Sequence, residues 1–150
     1  MPKFKFRLAT LLRLREAARD ERRTQLAEAY RVDDVLQQRL SRVREEMDRL
    51  REECRRAAGP GTVDIDRLVE SQRYELSLRA QQHQLLRQRE ALAAEIERRR
   101  AALVEANREV RVLENLREKQ AARYQQEENR REIKRLDEVA QRRAAQEGVA

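Results

Sequence analysis

The sequence contains four features with residue types that chemistry uses: one histidine, one cysteine, paired carboxylates and a Gly-Pro-Gly stretch. His83 carries an imidazole that could bind a metal or move a proton, but no Cys, His or Asp stands at ligand spacing from it, so it reads as a solvated helix residue. Cys54 is flanked by Arg55 and Arg56, which would favour a thiolate, yet it falls in an apolar row and reads as a small core residue. The doublets Glu45-Glu46, Glu52-Glu53 and Glu127-Glu128 lie along helix surfaces rather than in a pocket, which argues against acid–base catalysis. Gly59-Pro60-Gly61 lacks the Lys and Ser/Thr of a phosphate-cradling loop. These features predict no catalytic residues, no metal and no cofactor.

The elements that carry these residues are helical. Charged residues make up 42% of the chain and aromatics 3%, too little bulky apolar volume for an ordinary globular core but enough for a thin helical seam. Leu36, Leu40, Val43, Met47, Leu50, Cys54 and Ala57 alternate steps of four and three, the a/d pattern of a coiled coil. Leu92, Ile96, Leu103, Ala106, Val110 and Leu113 keep the same frame, with Leu78 and Leu85 extending it backward and Arg99 as its one charged intrusion. Pairs such as Glu45/Arg49 and Glu95/Arg99 add about 0.2–0.5 kcal/mol each on the exposed faces.

The two patterned stretches meet at residues 59–63. Gly59 is suited to close a helix in the left-handed conformation, Pro60 blocks continuation, and Asp64 can cap the next helix, with Asp66 complementing its dipole. So short a connection makes the helices antiparallel neighbours. The expected fold is all-α: a long two-helix coiled-coil hairpin in a single domain, with helix one over about 6–58, a turn at 59–63 and helix two over about 64–146. Folding about position 61 places Leu12 near Val110, Leu26 near Ile96 and Leu36 near Leu86. Helix two is the longer, so about 25–30 residues beyond position 118 form an overhang without an intramolecular partner.

Charge follows the same asymmetry. Residues 1–23 carry a net +5, residues 24–116 are neutral and residues 117–150 carry +2, so the whole +7 lies where the termini meet. A basic tip can attract nucleic acid, acidic lipid or an acidic protein surface, and charge alone does not choose among them. No apolar run is long enough for a membrane span or a secretory signal, and a single cysteine forms no internal disulfide, so a soluble cytosolic protein is expected.

Both ends carry a resemblance. The opening FKFRLATLLRLRE, with Phe4, Phe6, Leu8, Leu12, Arg15 and Glu16, and the closing ENRREIKRLDEVAQRRA, with Lys134, Leu136, Asp137, Glu138, Ala140 and Gln141, resemble the flagellar export family FliJ. The resemblance implies a non-catalytic antiparallel coiled coil, similar to the central stalk of rotary ATPases, that joins the export ATPase hexamer to the cytosolic domain of the membrane export gate. Export chaperones are open as further partners. By that resemblance Phe4, Phe6, Leu8, Leu12, Arg15, Lys134, Leu136, Asp137, Glu138 and Ala140 face the ATPase, with local packing an equal reading for the two phenylalanines. Tyr74, Leu78 and Leu85 are candidates for the gate, Tyr74 because it flanks the seam, whereas core packing is the competing reading for the two leucines. The implied location is cytoplasmic, at the inner face of the cell membrane.

Three alternatives share most of these features: the equivalent stalk of a virulence secretion system, a generic structural coiled coil, and a weakly nucleic-acid-binding basic coiled coil. The last is disfavoured because acidic residues are interspersed throughout and no basic-region helix appears, so no nucleic-acid partner is expected.

Overall fold

The computed structural model describes residues 2–59, 61 and 63–149. Two helices pack against each other as an antiparallel hairpin: α1, Ala9–Ala57, and α2, Ile65–Glu147. Arg, Glu, Leu and Ala dominate both, and neither contains Gly or Pro, so nothing interrupts the hydrogen-bond ladder. No strand occurs among the described residues, and no helix is long and apolar enough to cross a membrane.

The connection follows the expected chemistry with one change. Ala58 N–H donates to the Cys54 carbonyl at 3.0 Å and Gly59 N–H to that of Arg56 at 3.2 Å, so α1 ends by tightening its last turn. The positive φ falls on Gly61 (155°) and not on Gly59, whose expected left-handed conformation is therefore absent. Pro60, expected to block the helix, lies outside the described residues. Asp64 caps α2: its Oδ1 accepts from Asp66 N–H at 3.1 Å and its carbonyl from Leu68 N–H at 3.2 Å.

Helix α1 starts at Ala9 rather than near residue 6. Its first turn has no acidic residue, and Lys5 and Arg7 stand where the helix dipole disfavours cations. Residues 2–8 instead form a non-helical strap in which Phe4, Phe6 and Leu8 are half-buried while Lys3, Lys5 and Arg7 are exposed, a period of two.

The chain divides into two compact units. One comprises Glu21–Val104, and the other joins the residues up to Asp20 with those from Glu105 onward. In the first, Val43, Met47, Leu50 and Leu78 form a buried cluster on which Cys54 and Leu85 pack. Cys54 is thus half-buried in the seam, as its position in the apolar row requires. In the second, Leu12, Val110 and Leu113 form the cluster, with Phe6 and Leu8 against it.

The seam of α2 is less apolar than expected. Glu75, Gln82 and Arg89, as well as Arg99, occupy its three–four frame and are half-buried. Arg89 Nε donates to Asp33 Oδ1 at 3.0 Å, and Arg99 donates to the Gln25 carbonyl and to Glu95 Oε1. Asp33 is the residue that folding about position 61 places opposite Arg89, so the register holds there. Leu86, expected near Leu36, points outward, 42% exposed.

Leu78 and Leu76 give a matched test of the seam. Leu78 is 1% exposed and Leu76 66%. Leu78→Ala should cost about 3 kcal/mol in chemical denaturation, whereas Leu76→Ala should stay within about 0.5 kcal/mol of wild type. Equal losses would place the seam elsewhere.

Candidate partner-binding surfaces

The termini supply the first surface, and it lies wholly in the unit containing Leu12 and Val110. The strap is anchored at its far end by Tyr124, whose hydroxyl donates to the Pro2 carbonyl at 2.6 Å and whose ring sits 5.7 Å from that of Phe4. Leu12 packs on Val110 and Pro2 reaches Tyr124, so ten residues on one side span fourteen on the other. A non-helical chain advances about 3.3 Å per residue against 1.5 Å for a helix, which explains the gain. Arg15 Nη1 adds an ion pair with Glu109 Oε2 at 2.9 Å, exposed and of small stabilising weight.

The overhang is correspondingly shorter than the 25–30 residues expected beyond position 118, because the strap covers α2 as far as Tyr124. From Asn129 to Val149 every residue is exposed. Ile133, Leu136 and Ala140 recur at helical spacing there, on the side of α2 turned away from Leu113 and Tyr124. Leu136 is 63% exposed. Lys134, Asp137 and Glu138 are exposed around this stripe and make no ion pair among the described residues.

The residues singled out at the termini therefore separate into two groups. Phe4 and Phe6 pack on α2, the local-packing alternative, as do Leu8 and Leu12, while Leu136 and Ala140 stand open on its other side. Tyr124 and Ile133 were missed. Tyr124 is one of five aromatics, and an extended strap would have pointed to it; the spacing of Ile133, Leu136 and Ala140 was legible as an apolar stripe.

The second surface lies in the unit containing Leu78. Tyr74 is 47% exposed, and its hydroxyl donates to Glu46 Oε2 at 2.8 Å across the two helices. Arg49, Leu50 and Glu53 complete a shallow groove beside it. Leu78 is buried in the core cluster and Leu85 packs on that cluster half-buried, so of the three gate candidates Tyr74 alone is exposed. His83 is exposed, and no group of His, Cys, Asp and Glu able to hold a metal occurs among the described residues.

The bond to the Glu46 carboxylate holds the Tyr74 phenol above its ordinary pKa, with burial and the carboxylate charge acting in the same direction. A pKa raised on folding stabilises the fold below the unfolded value of 10.0 and loses that contribution as pH climbs through the raised one. In a Tyr30→Phe, Tyr124→Phe background, ultraviolet titration of Tyr74 should run above pH 10, and Glu46→Gln should bring it down. An unchanged titration in Glu46→Gln would mean that the bond does not persist in solution.

The family model described as "Flagellar FliJ protein" matches residues 4–148. No curated protein and no solved structure matches the chain.

Proposed function

Because the chain belongs to the flagellar FliJ family, whose members are non-catalytic components of the flagellar export apparatus, we propose that it is the coiled-coil strut coupling the export ATPase hexamer to the cytosolic domain of the export gate. The observation that carries this reading is the family match over residues 4–148, a span that takes in both end motifs and the turn between them. It favours the flagellar apparatus over a virulence system, a generic spacer or a nucleic-acid binder. The protein would work in the cytosol at the inner face of the cell membrane, with export chaperones as additional clients.

The ATPase contact rests on the termini. The open stripe around Leu136 and Ala140, with Lys134, Asp137 and Glu138 beside it, offers an apolar row with a polar border, the make-up of a helix that docks in a groove. Phe4, Phe6, Leu8, Leu12 and Arg15 support that end from within, by fixing the strap and α1 against α2. The gate contact rests on Tyr74, an exposed aromatic held in place by Glu46 beside Leu50.

The two contacts lie in different units, so mutation should separate them. Removing residues 129–150 deletes only exposed helix among the described residues, and the melting temperature should hardly move. That truncation should weaken ATPase binding about tenfold or more and spare gate binding, and Tyr74→Ala should do the reverse. Circular dichroism should show both variants folded. If both folded variants bind both partners as wild type does, the coupling reading fails.

A further inference from the structure

One edge of the hairpin lacks the charge pattern found elsewhere. Positions that flank a two-helix seam ordinarily carry acid–base pairs. On the edge of α2 that follows Tyr74, the flanking residues are Ser77, Gln81, Gln84, Gln88 and Ala91, five in succession without charge in a chain that is 42% charged. Facing them across the seam, α1 presents Val32, Val35, Arg39 and Arg42, all exposed. The next carboxylate along α1, Glu46, is taken by the Tyr74 hydroxyl and closes the stretch at that end.

These residues line an open groove. Arg39 and Arg42 form one wall, with Glu46 at its Tyr74 end, Gln81, Gln84 and Gln88 form the other, and Val43 and Leu85 lie between them. Neither guanidinium has a carboxylate partner among the described residues. Apolar residues also spread beyond the seam here: Val32 and Val35, 50% and 45% exposed, widen the row formed by Leu36, Leu40 and Val43. A helix packed on one neighbour needs only a narrow a/d row, whereas one packed on two needs the broader face seen on α1.

We propose that this groove is a docking site for a third helix, supplied by a partner protein, whose apolar row is bordered by Glu or Asp. Its apolar side chains would cover Val35, Val43 and Leu85, and its carboxylates would pair with Arg39 and Arg42. The glutamine amides, each able to donate and accept, would meet the polar border on the other side without imposing a charge. The charge complement selects such a helix over a basic one, because a Lys border would face two unpaired arginines. This goes beyond the coupling reading and does not depend on the assignment of Tyr74.

The test uses the full chain and two fluorescein-labelled three-heptad peptides with the same leucine row, one bordered by Glu and the other by Lys. Fluorescence anisotropy should show the Glu peptide binding about tenfold tighter, as two exposed charge pairs turned from repulsion to attraction imply. Arg39→Glu with Arg42→Glu should reverse the preference, and the milder Arg39→Gln with Arg42→Gln should abolish it. Arg44→Glu with Arg51→Glu, on the other edge of α1, should leave it intact. Equal affinity for both peptides, binding of neither, or equal loss in the other-edge variant would overturn the proposal. So would sedimentation showing dimers that Val35→Lys dissolves, since the groove would then be filled by a second copy.

Discussion

Two helices packed on each other share one seam, and only side chains at alternating three- and four-residue steps can leave water through it. The core is therefore a single file of residues such as Leu12, Ala29, Leu40, Val43, Leu78 and Val110, with no second layer behind it. No polar or charged residue is fully buried among those described. A seam this thin also accepts arginine. The methylenes of Arg89 and Arg99 can lie in the seam while each guanidinium reaches its edge, to Asp33 in one case and to the Gln25 carbonyl in the other. Such residues set register as well as they fill space. Sliding one helix by a heptad would bring Arg89 opposite Leu26 or Leu40, where no carboxylate waits.

The same constraint shapes function. A protein with one thin seam sets most of its side-chain chemistry on the faces that the seam leaves out. Three such faces differ in chemistry: the apolar stripe of Ile133, Leu136 and Ala140, the aromatic ring of Tyr74, and the uncharged edge opposite Arg39 and Arg42. In the coupling role proposed above, separate faces on one simple scaffold would let more than one partner attach.

Much of this was legible in the sequence because helix and seam are periodic. The three–four spacing gave the seam from Leu36 to Leu113, and Gly59, Asp64 and Asp66 marked where the chain folds back. What escaped were features set by geometry without a period. Whether residues 2–8 coil or extend depends on a balance between helix propensity and the packing of alternate apolar side chains on α2, and that balance fixed Tyr124 as the anchor. The positive φ at Gly61 in place of Gly59 reflects the closing of a short loop between two caps. Half-buried Glu75 and Arg89 were invisible to a search for apolar positions, since they belong to the seam by spacing and not by type.

The strap differs in kind from the two helices beside it. No amide from residues 3–8 donates to a backbone carbonyl among those described, and its hold on α2 comes from Phe4, Phe6 and Leu8 and one tyrosine hydroxyl. A helix end frays and regrows along its own ladder, one backbone bond per residue. The strap's backbone enters that ladder only at its end, where the Phe6 and Leu8 carbonyls accept from Ala9 and Leu12 N–H. Ahead of those bonds the Phe4 ring and the Tyr124 hydroxyl hold the first residues, so Phe6 and Leu8 cover Leu12, Val110 and Leu113 from a backbone that is not itself helical.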